Sequence, residues 1–337
     1  MTELLRKAHS VLFPVTVDLQ PNADILRFLD HGGRSVLFGE TGEEYVAGKI
    51  NPSRKMEETI ENWQKTTEAL IRRAGPLLLS CDADVSAVHR LEYVTPALPT
   101  FAEAQNMPSE AFEEAIYKVA LSISKTGMNL LLSPTADVVV GHNPWLKGRT
   151  LGNDIATVSR FVSAYVKGIK RAKLASTLKH FPGHPELTGI PAIEIAKVPH
   201  SMAQLRPFLE PFIAGVRAGA DAVMLSPAIF DAVTPPIAGS LSADIVTILR
   251  DEIGFKGLIM TCDLDHRSTI RENTLNETVI AALNAGSDLL LLSPRSVSSI
   301  PMIAAAIVGA VEKGSLAQER LEQAASSVEA LISKNLN

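Results

Sequence analysis

Cysteine is scarce: only Cys81 and Cys262 occur in 337 residues, far apart in the chain. No disulfide framework can be built on such a pair, and a reducing, cytoplasmic setting is the expectation. Neither sign of charge dominates. The 32 Lys and Arg against 37 Asp and Glu leave a net charge of −5, with the basic residues scattered, so no nucleic-acid footprint is expected. No apolar run approaches the ~18–20 residues that cross a bilayer, and no membrane partner is expected. Arg6 and Lys7 do precede an apolar run at 11–17, but Asp18, Gln20 and Pro21 follow it where a leader would carry small residues. A buried first strand accounts for it better. The chain also lacks G-x-G-x-x-G, the phosphate-loop motif, H-E-x-x-H and zinc-spaced cysteine pairs, so neither a nucleotide cofactor nor a metal is expected. His180 and His184 are four apart, yet Pro182 and Gly183 between them exclude a helical ligand pair.

What is present is a large core. Hydrophobic residues are 46% and charged residues 20%, which excludes global disorder. Short apolar runs at 11–17, 35–38, 76–80, 129–133, 175–178, 222–225, 257–260 and 288–292 alternate with segments of helical period such as 56–73, 111–125, 155–173 and 241–253. Continuous apolar runs of this length suit parallel strands buried on both faces. Gly75, Gly127, Gly219 and Gly286 stand where helices hand over to strands. Eight such units predict an α/β fold, a (β/α)8 TIM barrel forming one domain over 1–337, with a last helix at about 316–333 packed outside it. An open doubly wound sheet is the alternative.

In such a barrel chemistry collects at the strand C-termini. The polar residues there are Cys81, Asp82, Asp137, Lys179, His180, Ser226, Cys262 and Asp263. Each taken alone could be a loop-capping group; together they point to a site.

Lys179-His180-Phe181-Pro182-Gly183-His184 places two histidines and a lysine around a rigid turn after a strand. It resembles the K-H-F-P-G-H motif of glycoside hydrolase family 3, as found in its single-domain bacterial β-N-acetylglucosaminidases. Asp82-Ala83-Asp84 through His89-Arg90-Leu91 looks like that family's D-Q-E-G-G-R-V-Q-R loop. Residues 133–137, Asn143-Pro144 and Arg149 look like its strand-four loop, and 254–259 (GFKGLI) like its G-F-D-G-V-I. The resemblance implies that Asp82, Arg149, Lys179 and His180 grip hydroxyls of a small carbohydrate ligand, as charge-assisted bonds would. His184 is a further candidate contact, or a structural part of the turn.

The resemblance also exposes departures. The attacking carboxylate of S-D-D-L falls on Cys262 in Thr261-Cys262-Asp263-Leu264, so Cys262 and Asp263 are the candidate catalytic residues. Along a strand a one-residue step reverses the side chain, so Asp263 is not an automatic substitute. The family's D-S-H acid/base triplet falls on Ile190-Pro191-Ala192, with Glu186, Glu194 and His200 nearby, and Ala87 replaces an arginine. Losing two acidic positions implies a more positive pocket, hence an anionic sugar, and a Cys262 thiolate able to act as nucleophile. The plain alternative is an inert cysteine ending a strand. Three functions follow: a glycosidase with altered catalytic groups, a carbohydrate-binding protein without turnover, or a barrel reused for lactone or amide hydrolysis. Nothing in the sequence fixes the oligomeric state.

Overall fold

The eight apolar runs become eight parallel strands in the computed structural model, which describes residues 1–47, 49–85 and 88–335. They are β1 (Leu12–Thr16), β2 (Ser35–Phe38), β3 (Leu78–Cys81), β4 (Leu130–Leu131), β5 (Ala175–Phe181), β6 (Ala222–Leu225), β7 (Leu258–Thr261) and β8 (Leu290–Leu292). Each pairs with its sequence neighbour, and β8 pairs with β1. A parallel bridge from Met260 to Leu289 brings β7 against β8, giving a nearly closed barrel. That closure rules out the open doubly wound sheet, whose edge strands stay unpaired.

Side chains alternate along the strands as the pleat requires. Phe13, Leu37, Leu78, Met224, Met260 and Leu291 fill the barrel interior. Their neighbours, such as Leu12, Val36, Leu79, Val223 and Ile259, face the surrounding helices. Strands read as unbroken apolar runs because both of their faces are dry. The longer helices are α1 (Glu3–Ser10), α2 (Ala23–Asp30), α3 (Ile60–Ala74), α4 (Ser109–Ser124), α5 (Ile155–Arg171), α6 (Glu210–Ala218), α7 (Leu275–Ala285), α8 (Ile300–Glu312) and α9 (Gln318–Asn335). At Gly127, φ is 88°, and a Cβ there would lie 2.2 Å from Thr67 Oγ1, so only glycine turns α4 into β4. Three short strands, Lys197–Val198, Ile229–Phe230 and Ile237–Ala238, form a small separate sheet within the segments that follow β5 and β6.

One expectation changes. Residues Pro294–Glu312 form a continuous helical stretch of 19 residues with mean hydropathy 1.4, long and apolar enough to cross a bilayer by length and composition. It does not read as one apolar run in the sequence because Arg295, Ser296 and Ser298 interrupt it. Its Ile300, Ile303, Ala304 and Ile307 are buried in the core shared with the strands. The last helix, α9, packs against one end of the barrel. Its Val328, Leu331 and Ile332 join the interior cluster. Arg320 bonds Asp288 just before β8, Arg34 before β2 bonds Glu329, and Lys334 pairs with Asp221 before β6. These contacts set α9 across the lower mouth, where strands begin.

Candidate active site

The upper ends of the strands enclose a cavity of about 700 Å³. Its floor is apolar, with Leu132, Met224 and Leu291 pointing up from the barrel interior, and its walls are polar. Asp82, Arg149, Lys179, His180, Cys262 and Asp263 all line it, so six of the seven residues singled out from sequence come together.

Lys179 and His180 are adjacent in sequence yet both reach the cavity, because the β5–β6 register shifts between Lys179 and Phe181 and breaks the alternation. The Lys179 ammonium is buried between Asp82 at 2.5 Å and Asp84 at 2.7 Å. Burial works against its charge, but the two carboxylates outweigh burial and keep its pKa above the ordinary value. Asp84 is itself fixed by the Thr135 amide at 3.1 Å. His180 Nδ1 lies 2.9 Å from Asp137 Oδ2. A carboxylate only accepts, so Nδ1 donates and Nε2 is left as an acceptor. Burial lowers the His180 pKa to about 4 in spite of Asp137, so the ring is neutral at pH 7. Arg149 donates to the Tyr45 hydroxyl at 2.8 Å and lies over that ring at 4.8 Å. The same hydroxyl accepts from Trp145 Nε1, and the Trp145 ring packs 4.6 Å from that of His180. An aromatic bracket thus orients the arginine and the histidine.

His184 is corrected. It lies below the cavity with no exposed surface, Nδ1 donating to Asp137 Oδ1 at 2.7 Å and Nε2 2.6 Å from Ser226 Oγ. Ser226 Oγ also accepts from the Ala228 amide. The Asp137–His184–Ser226 chain has the residue types of a nucleophilic triad, but all three are fully buried and none lines the cavity. With both nitrogens engaged, His184 braces the turn and does not touch a ligand. Burial opposes the charge on Asp137, yet His184 and His180 hold its carboxyl below the usual range.

Cys262 and Asp263 lie beyond the end of β7, where the chain turns, so strand alternation no longer applies and both face the cavity. The thiolate expectation fails: burial, then Asp263, push the Cys262 thiol well above its ordinary pKa, and Lys179 does not offset them. Burial likewise raises the Asp263 carboxyl, against His266. The loop carrying Ile190, Pro191 and Ala192 arrives at the cavity, but only Ala192 lines it. Glu194 is turned back onto the Ile190 amide, and neither Glu186 nor His200 is among the lining residues. Ala87 lies outside the described residues.

Sequence reading missed Glu40 and His266. Glu40 follows β2, beside Gly39, where a Cβ would sit 2.7 Å from Val15. Burial, then Asp82, push its pKa up to about 8 despite Lys179, Arg90 and Arg149. It was legible as a polar residue just past an apolar run, the same signal that marked Asp82. His266 was legible only as the fourth residue after Cys262. Around neutral pH Glu40 keeps its proton and adds no negative charge. The expectation of a positive pocket is weakened instead by Asp82 and Asp84, which together with Asp263 stand on the lining against Lys179, Arg149 and Arg295.

The wider likenesses agree with this geometry. Residues 31–331 match the glycosyl hydrolase family 3 N-terminal domain. A β-hexosaminidase of Stenotrophomonas maltophilia (strain R551-3) is 30% identical over 271 residues, 75% of this chain and 81% of that protein. The fold superposes with a TM-score of 0.89 on a family 3 β-N-acetylglucosaminidase from Paenibacillus sp., 25% identical; all of this chain is covered but only 63% of that one. With a β-N-acetylhexosaminidase from Beutenbergia cavernae the TM-score is 0.86 at 22% identity, covering 99% of each chain, a likeness of fold. By the extent of the domain match and the identity of its relatives, the chain belongs to glycosyl hydrolase family 3.

Proposed function

We propose that this protein is a β-hexosaminidase-like hydrolase that takes the terminal sugar of its ligand into the barrel mouth and cleaves the bond at the anomeric carbon. The observation that carries the reading is the meeting of Asp82, Lys179, His180 and Arg149 in one cavity with Asp263. Asp82 and the His180 Nε2 accept from sugar hydroxyls, Lys179 and Arg149 donate to them, and the Trp145 and Tyr45 bracket fixes their directions. Asp263 is the carboxyl that serves the bond-breaking step, since Cys262 replaces the attacking carboxylate and, as a thiol, is a poor nucleophile. The family 3 relatives named β-hexosaminidase support the substrate class.

Hydrolysis of 4-nitrophenyl N-acetyl-β-D-glucosaminide, beside the glucoside and the glucuronide, tests it. Asp263→Asn is expected to lower kcat by about 100-fold or more. Asp82→Ala is expected to raise KM by about tenfold, the loss of a charged hydrogen bond. The anionic preference expected from sequence now rests on Arg149 and Arg295, because Lys179 is committed to two carboxylates. Tighter binding of the glucuronide would support it; tighter binding of the neutral sugar removes it. Binding without turnover is the second reading. It is favoured by Ala192, which lines the wall where the family's acid/base loop arrives. Saturable sugar binding with no cleavage of any of the three substrates would establish it.

A further inference from the structure

Cys262, Asp263 and His266 form a compact group on the cavity wall beyond β7. The Cys262 Sγ is 4.0 Å from Asp263 Oδ2 and 4.0 Å from His266 Nδ1, and His266 Nε2 is 3.4 Å from Asp263 Oδ2. One sulfur, one oxygen and one nitrogen donor lie within 4.8 Å of one another. Among the described residues these side chains hydrogen-bond or ion-pair only with each other and the Asp263 backbone amide, so no other structural duty engages them. Asp137, His180 and His184 make the contrasting case. They too bring three donors together, but Asp137 already accepts both ring N–H groups, and Ser226 takes the far side of His184.

We infer that Cys262, Asp263 and His266 bind a divalent cation of the zinc type, with its remaining coordination facing the sugar cavity. Zinc bonds of about 2.3 Å to sulfur and about 2.0–2.1 Å to nitrogen or oxygen place tetrahedral ligands roughly 3.3–3.6 Å apart. Cys262 Sγ approaches His266 Nδ1 whereas Asp263 Oδ2 approaches Nε2, and donors taken one per residue lie within 4.8 Å of one another, so ligation through one ring nitrogen asks the ring and the thiol to close in by about an ångström. Thiolate with imidazole selects zinc or cobalt over magnesium or calcium, and three protein ligands leave a position open, as in catalytic rather than structural sites. On binding, the Cys262 S–H bond is replaced by a sulfur–metal bond and the proton passes to solvent, with no change of oxidation state. The nearest lysine does not repel the ion, because Asp82 and Asp84 already overcompensate Lys179. The inference deepens the hydrolase reading, on which it rests for what the open position meets, while the cation site stands on its own geometry.

Chelator-treated protein titrated with Co²⁺ in the absence of sugar tests the site. One equivalent is expected to bind, with a near-ultraviolet thiolate-to-cobalt charge-transfer band that Zn²⁺ abolishes by displacement. Cys262→Ser is expected to lose the band, and His266→Ala to weaken cobalt binding by at least about tenfold. Cys81→Ser, which removes the other cysteine, is expected to keep the band. Circular dichroism reports whether each variant is folded, and His266→Ala decides the matter if Cys262→Ser is not. No saturable binding by wild type, a band that persists in Cys262→Ser, or a band lost in Cys81→Ser alone would overturn the site. Because the band needs no substrate, failure of sugar hydrolysis leaves the cation site standing, and hydrolysis without cobalt binding removes the site alone.

Discussion

Glu40 shows what a single carboxyl does when enclosed beside another. Its pKa is raised from 4.5 to about 8, so between those values the folded protein keeps a proton that the unfolded chain has lost. Folding stability therefore falls as pH rises across that window, and the penalty is complete above it. Glu40→Gln should leave the melting temperature nearly unchanged at pH 5 and raise it by a few degrees at pH 9; a scanning thermal melt at both pH values checks this, and equal values at pH 9 would remove the assignment. Ser226 gives the opposite lesson. Removing its hydroxyl strands His184 Nε2 and the Ala228 amide, so Ser226→Ala should lower stability by about 1–3 kcal/mol without altering sugar affinity. A nucleophile would instead show unchanged stability and lost turnover. Asp82, Lys179 and His180 were legible because motif and strand-end position agree, and Arg149 through the loop resemblance alone. The support role of His184 was not, since only the fold brings Asp137 and Ser226 to its two sides.

At the scale of elements, the loops after β2 and β3 are tied together by a buried charge network. Arg90 donates to the Gly39 carbonyl at 2.7 Å and to both oxygens of Glu58, and lies 5.1 Å over Trp63. Arg54 joins Glu58 to Glu44. Arg90→Met should lower the unfolding free energy by about 3 kcal/mol, since Glu58 loses its bidentate partner in a buried place. It should also weaken sugar binding, because Gly39 leads directly into Glu40; denaturant unfolding and a sugar titration read the two effects separately. The strands were visible in sequence because parallel strands are dry on both faces. The position of α9 was not. Val328, Leu331 and Ile332 have the spacing of any apolar helix face, and nothing local says that the face closes a barrel end instead of lining its side.

Across the whole molecule, stability in mild acid is set by histidines that fold uncharged. Burial lowers His180 and His89 from 6.5 to about 4, and lowers His9 as well. The unfolded chain takes up protons near pH 6.5 while the folded chain does not, so stability is lost as pH falls from about 6.5 towards 4. Glu40 opposes this with a gain over the range down to 4.5, so melts from pH 6.5 to 4 should show a net decline from the two histidines outweighing the one carboxyl, and a flat profile would contradict it. At the barrel's lower mouth, Val328→Asp should prevent cooperative folding, because it sets a charge among interior side chains; a retained sharp transition would show that α9 is dispensable. That same helix seals a lower mouth beneath an interior already filled by Phe13, Leu37, Met224 and Leu291, so the barrel is a solid plug and not a conduit. Whatever occupies the upper cavity must enter and leave by the same opening.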